Sequence, residues 1–358
     1  MPSRQPAPPQ RSTCNFRFRG STGTRSRAAC AGGRGVGLSQ PTMVCRALRG
    51  RHRLPVRVIP DDYAGSGGLC TVTDAEAGTS SLKPWLAGRR APINPVDLKV
   101  DVPHTARMYD YYLGGKDNFP ADRQAAEQTL AVFPHARVSA RQNRAFLHRV
   151  TRFLAQETGV RQFLDVGTGI PTSPNLHEVA QGIDPGCRVV YADNDPIVLS
   201  HARALLTGTG EGRTAYLDAD LREPEKILES AELRDTLDLT RPVALSVIAL
   251  LHFIPDSDDP YGIVRRYLDV LPAGSYLALT HVTPDFAPDD VGRAVEVYRG
   301  QGIPAAARTR GEVEGFFDGL DLVDPGVQSV HRWRPDDSGL DGLTDAEVNV
   351  YGALARIP

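Results

Sequence analysis

Residues 162–195 read QFLDVGTGIPTSPNLHEVAQGIDPGCRVVYADND, and this stretch decides the fold class. Gln162–Val166 is a short apolar run with the character of a strand. The glycines Gly167 and Gly169 mark a turn, and a helix is expected through Leu176–Gln181. Arg188–Asp193 (RVVYAD) is a second strand candidate. Strand, Gly turn, helix and strand make a Rossmann-type βαβ unit, whose ligand crevice lies at the carboxyl ends of the strands.

The alternation continues downstream. Helix is expected at Pro196–Leu206, strand at Thr214–Leu217 and helix from about Pro224 to Ser230. Pro242–Leu251 (PVALSVIALL) is nearly all apolar, as a strand buried on both faces should be. A helix at Asp259–Leu271 and a strand at Ser275–Thr280 follow. Helices at Asp289–Arg299 and Arg310–Phe317 precede late strands at Leu320–Val323 and Val350–Ile357. Seven strands in this order predict an α/β, doubly wound and mostly parallel sheet with helices on both faces. Upstream, helices are expected at Thr105–Leu113 (ended by Gly114-Gly115), Ala121–Phe133 and Val138–Thr158.

The turn chemistry narrows the ligand. A dinucleotide fingerprint wants a third small residue where Thr172 stands, between Pro171 and Pro174, so a pyrophosphate cradle is poorly made. Asp165, at the strand end, would repel pyrophosphate. It favours a ligand with an ammonium and a sulfonium, by about 4 kcal/mol per charge pair at 4 Å and an effective dielectric near 20, less desolvation. S-adenosyl-L-methionine meets both conditions and NAD does not. Asp193 lies 24 residues after Gly169, where an acid can accept from both ribose hydroxyls. Asp195 is an alternative there, or a cap for the helix entered at Pro196. Asp218 or Asp220 can accept from the adenine amine, with Asp220 favoured. The expected cofactor contacts are Asp165, Gly167, Thr168, Gly169, Pro171 and Thr172, then Asp193 and Asn194, then Asp220 and Leu221.

Composition adds an asymmetry. Residues 1–60 hold 12 Arg and no Lys, Asp or Glu, whereas the other 298 of the 358 residues carry a formal charge of −14. The segment 1–90 is rich in Arg, Gly and Pro and shows no sustained periodicity, so disorder is expected there. It reads either as a tail without a role or as a nucleic-acid-binding arm. Cys14, Cys30, Cys45 and Cys70 match no CxxC pattern, and only Cys187 lies beyond them, so a disulfide framework is not expected. No apolar run is long enough to span a membrane. A cytoplasmic protein in three parts follows: 1–90, a helical cap at 91–160 and the Rossmann-like domain at 161–358.

Seven motifs give the chain a family resemblance: ARMYDYYLGGKDNFPADR (Ala106–Arg123), QFLDVGTGIPT (Gln162–Thr172), VVYADNDPIVLSHARALL (Val189–Leu206), DADLREPEKIL (Asp218–Leu228), LLHFIPD (Leu250–Asp256), GSYLALTH (Gly274–His281) and the WRP at Trp333–Pro335. On these residues, roughly 95–358 resemble the actinobacterial S-adenosyl methyltransferase family, once a domain of unknown function. The resemblance implies a class I methyltransferase sheet of seven strands with Val350–Ile357 inserted antiparallel. It also marks Arg107, Tyr109, Tyr112, Gly114, Gly115 and Asn118 as a lid over the cofactor. Tyr109 and Tyr112 share a helix face and read equally as core aromatics.

Methyl transfer from a sulfonium needs chiefly a well-placed acceptor, so no acid–base signature is obligatory. His252 and His281, just past the fourth and fifth strands, are the candidate catalytic bases, or else structural histidines. A metal site from His252, Asp256, Asp258 and Asp259 is not expected, those acids reading as solvated loop and helix cap. The expectation is methyl transfer to a small-molecule acceptor, without membrane or nucleic-acid partners. A non-catalytic sensor of the same cofactor is the alternative.

Overall fold

The computed structural model describes residues 43–49, 52–58, 98–205, 208–335 and 342–358. The chain forms two compact units, 1–91 and 92–358. Within the first, β1 (Met43–Arg49) pairs antiparallel with β2 (His52–Val58), where the sequence reading found no strand periodicity. The rest of the segment expected to be disordered lies outside the described residues.

The second unit opens with α1 (Thr105–Leu113), α2 (Pro120–Val132) and α3 (Ala136–Phe153). The last turn of α3 winds as a π-helix over Leu154–Thr158 and ends at Gly159, whose φ of 73° suits a residue without Cβ. Then come β3 (Gln162–Val166), α4 (Leu176–Ile183), β4 (Arg188–Asp193), α5 (Pro196–Leu205) and β5 (Arg213–Asp218). The helix expected from about Pro224 to Ser230 is α6 (Pro224–Leu228), and beyond it the Ser230 hydroxyl accepts from Leu233 N and starts a further helix, α7 (Ala231–Thr236). The strand β6 keeps only Ala244–Val247 of the long apolar run, and α8 (Pro260–Leu268) and β7 (Tyr276–Val282) follow. Closing the chain are α9 (Pro288–Gly300), α10 (Arg310–Glu314), β8 (Asp321–Leu322), β9 (Gln328–Ser329), α11 (Asp345–Val348) and β10 (Val350–Arg356).

The sheet runs β5-β4-β3-β6-β7-β10-β8, with β9 also on β10. Strands β3 to β7 are mutually parallel, and β10 is antiparallel to its neighbours β7 and β8. The resemblance implied this insertion; the short β9 makes an eighth strand that was not foreseen. Alternate residues of β3 enter opposite cores. Leu164 and Val166 pack with α6, α7 and α8, and Phe163 packs with α3 and α4. Burial on both faces follows from the unbroken apolar runs.

Trp333, of the WRP motif, is fully buried against the rings of Phe146 and Phe153 of α3, at 5.3 and 6.2 Å between centroids. The Arg149 guanidinium donates to the carbonyls of Val330 and Trp333. Helix α3 is thereby tied to the far end of the chain. A separate cluster of Met108, Tyr112, Ala125, Ala126, Ala140 and Ala294 joins α1, α2, α3 and α9 into a cover. No helix among the described residues is long and apolar enough to cross a membrane.

Candidate functional site

The crevice is made by the loops after β3, β4 and β5. Gly167 and Gly169 adopt φ of 75° and 67°, left-handed conformations that glycine takes without a Cβ penalty. A Cβ on Gly167 would run into the Leu250 side chain, so its restriction comes from packing after β6 as well as from backbone geometry. Gly167 N donates to Ala192 O at 2.8 Å, pinning the turn to β4. The Asp193 carboxylate accepts from Gly169 N at 2.8 Å and from Asp195 N at 2.9 Å, one bond to each oxygen. Asp195 caps α5 by accepting from Ile197 N, and its other oxygen lies 3.0 Å from His104 Nδ1. It therefore serves as helix cap and as anchor for the cover, and Asp193 faces the crevice.

Asp165 is 4% exposed. Burial pushes its carboxyl up to about 6, opposed by the Thr168 side chain and the Arg144 guanidinium. Burial also raises Asp193, against the two backbone N–H groups that hold its charged form. Among the described residues no cation is hydrogen-bonded to either buried acid, an arrangement that favours a positively charged ligand.

One cavity of about 430 Å³ is lined by Asp165, Gly167, Thr168, Gly169, Asp193, Asn194, Asp220 and Leu221, and also by Tyr109 and Tyr112. Such a volume suits a drug-sized ligand. Asn194 Nδ2 donates to Asp220 Oδ2 at 2.8 Å, and Arg222 holds the same carboxylate, whereas Asp218 is exposed and outside the cavity. Pro171 and Thr172 do not line it. Thr172 N instead donates to Asn175 Oδ1, where the chain enters α4.

The residues expected as a lid fall into two sets. Arg107 is a buried structural cation: it pairs with Asp122 at 3.1 Å and donates to the carbonyls of Leu98, Lys99 and Val102. Gly114 closes α1 at φ 85°, and a Cβ on Gly115 would collide with the Asp110 carboxylate. Asn118 donates to that carboxylate at 2.7 Å and to Gly115 O. These four residues fold the cover and stay out of the cavity. Tyr109 and Tyr112 do both: they pack in the cover and line the cavity.

The two histidines part company. His281 is fully buried and engaged at both ring nitrogens, with Val282 O 2.7 Å from Nδ1 and Arg308 Nη1 2.7 Å from Nε2. Burial and the neighbouring guanidinium push its pKa down to about 3, so it stays neutral and has no free lone pair to take a proton. His252 lines the cavity, and its Nδ1 is enclosed without a partner. Burial, His281 and Arg308 depress its pKa well below the ordinary value. Of the acids near it, Asp256 pairs with Arg308, Asp258 with Arg222, and Asp259 caps α8. Among the described residues no cluster of His, Cys, Asp or Glu is arranged to hold a metal.

The family of this chain can be read from its relatives. A family model described as S-adenosyl methyltransferase matches residues 92–358. The chain belongs to the S-adenosyl methyltransferase family. A DUF574 family protein from Streptomyces avermitilis is 53% identical over 73% of this chain and 100% of its own, with a TM-score of 0.72. A Thermobifida fusca protein, designated a candidate methyltransferase, is 40% identical over 75% and 99%, with a TM-score of 0.68. No curated protein is significantly similar. The match leaves out residues 1–91, the compact unit that the structure separates.

In this S-adenosyl methyltransferase the residues fit the cofactor that the family implies. Each Asp193 oxygen accepts one backbone N–H and keeps further lone-pair capacity at the cavity wall. Two side chains at the site stand outside the sequence motifs. Arg308, 3% exposed, joins Leu251 O, Ile254 O, Asp256 and His281, and so fixes the 251–256 loop that carries His252. Tyr298 of α9 meets Tyr112 hydroxyl to hydroxyl at 3.1 Å across the cavity wall. Neither belongs to a motif, and both act on partners distant in sequence.

Proposed function

We propose that the chain binds S-adenosyl-L-methionine between Asp165, Gly167–Gly169, Asp193 and Asp220, and transfers its methyl group to a small-molecule acceptor in the cytoplasm. The observation that carries this reading is that one cavity is lined by all of these groups at once. Bound there, the sulfonium supplies an activated methyl group. Asp193 binds the ribose diol, and Asp220, braced by Asn194 and Arg222, accepts from the adenine amine. Asp165 supplies negative potential in a water-poor site, where it acts more strongly on a cation than it would in bulk solvent.

Pro171, Thr172 and the loop residues Gly114, Gly115 and Asn118 act through the backbone they shape. The small-molecule reading is supported by the cover, since α1, α2, α3 and α9 close over the cavity. No membrane or nucleic-acid partner is needed. Incubating the full chain with methyl-labelled S-adenosylmethionine and a fractionated metabolite extract tests the proposal. Label should enter a small organic-extractable product. Binding without transfer to any fraction would make the chain a sensor, and label entering only nucleic acid would overturn the small-molecule reading.

A further inference from the structure

Most of the cationic side chains that line the cavity are already engaged. Arg222 pairs with Asp220 and Asp258, and His104 lies 3.0 Å from Asp195. Arg144 of α3 differs: it lines the same cavity, and among the described residues it forms no ion pair. Asp165, on the neighbouring wall at the end of β3, likewise has no cation paired with it. The two stand too far apart to pair with each other, yet close enough for the guanidinium to oppose the upward shift of the buried carboxyl. The cavity thus presents one open positive and one open negative group side by side.

The guanidinium is held in place by backbone. Its Nη2 donates to the carbonyl of Thr172 and, at 2.9 Å, to that of Pro174. Thr172 and Pro174, which stay out of the cavity, therefore act on it through Arg144. The Nε of Arg144 is enclosed by protein and out of a ligand's reach. Nη1 is not enclosed, and no described residue accepts from it, so its N–H groups remain open to a ligand. A carboxylate accepts from such a group in a charge-assisted hydrogen bond, roughly twice as strong as a neutral one. A simple anion at Arg144 would be repelled by Asp165, and a simple cation at Asp165 would be repelled by Arg144. A ligand that carries both charges on adjacent atoms satisfies both walls.

From this arrangement we infer that Arg144 binds the α-carboxylate of the cofactor's amino-acid end while Asp165 receives its α-ammonium. The zwitterion then lies toward β3 and α3, and the nucleoside lies toward Asp193 and Asp220 after β4 and β5, in the order in which the strands stand in the sheet. This inference rests on the cofactor reading above and adds to it a binding residue outside the Gly-turn motif and the direction in which the cofactor lies.

Calorimetry on the full chain tests it with three probes: S-adenosylhomocysteine, its decarboxylated analogue S-adenosyl-3-thiopropylamine, and 5′-methylthioadenosine, which lacks both charges. The wild type should bind S-adenosylhomocysteine at least about ten-fold more tightly than the decarboxylated analogue. Arg144→Met should abolish that preference by weakening S-adenosylhomocysteine alone, with the affinities for the other two probes within about two-fold of wild type. Arg144→Gln keeps an amide able to donate to the Thr172 and Pro174 carbonyls but removes the charge, and it should show the same selective loss. A residue that only shaped the loop would weaken all three probes alike, and that result in both variants would overturn the assignment. So would a wild type that binds the two charged probes equally, or a preference that survives in either variant. Failure of the folded wild type to bind any of the three would remove the cofactor reading and this inference together.

Discussion

The crevice after β3 and β4 and the cover of α1, α2, α3 and α9 meet at one cavity, yet they are built by different means. In the crevice the partners are near in space because the fold repeats a local unit: Gly169 N meets Asp193 across one βαβ step. In the cover the decisive partners are distant in sequence, as with Tyr112 and Tyr298, separated by 186 residues. The crevice spends its polar groups on the cavity. The cover spends most of its own on itself, with Arg107 on Asp122 and Asn118 on Asp110. The patterned motif of the first region therefore supplies most of the cavity-lining acids and glycines, whereas that of the second chiefly folds the cover.

The sharpest way to break that contrast is at Arg107. Arg107→Met leaves the fully buried Asp122 without its cation, and the expected loss is about 3–5 kcal/mol of unfolding free energy in urea denaturation. S-adenosylmethionine affinity of the folded protein should be little changed. Unaltered stability with lost affinity would return Arg107 to the cofactor.

Asp165 gives the next largest effect, and its sign is opposite in stability and binding. Its carboxyl is raised to about 6. Ionisation is therefore harder in the native state than in the unfolded chain, and stability falls as pH rises from about 4 through about 6. Asp165→Asn should be more stable at neutral pH by about 1–3 kcal/mol. In the wild type, S-adenosylmethionine should bind more tightly as pH rises through about 6 and then level off, because only the carboxylate attracts the sulfonium. The variant should bind more weakly with a flat profile over that range, as calorimetry at stepped pH would show. A sloping profile in Asp165→Asn would move the titrating group elsewhere.

The smallest effect belongs to Pro171, which stands in the crevice motif but outside the cavity. Pro171→Ala should change affinity by less than about 0.5 kcal/mol. A larger loss would show that the motif contacts the ligand further along than the cavity does.

Much of this was legible in the sequence, for a physical reason. Strand, left-handed Gly turn and helix are set by residues within a few positions of one another, so Gln162–Asp195 could be read directly. The antiparallel β10 came from family resemblance, since nothing local in Val350–Arg356 reveals which strands it will separate. The start of α7 turns on one hydroxyl, that of Ser230. Arg308 and Tyr298 were invisible because their roles exist only after distant segments pack. His281 looked like His252 from its strand position, but its ring is buried and held at both nitrogens, by Val282 O and by the Arg308 guanidinium.

The central claim is that Asp193 holds the ribose of S-adenosylmethionine within the cavity it lines. Titration calorimetry of S-adenosylhomocysteine into the wild type and Asp193→Ala tests it most directly. One-site binding is expected, weakened in the variant by about 1–3 kcal/mol, with the thermal transition of the variant still cooperative. Equal affinity in the two proteins, or no binding by the folded wild type, would contradict it.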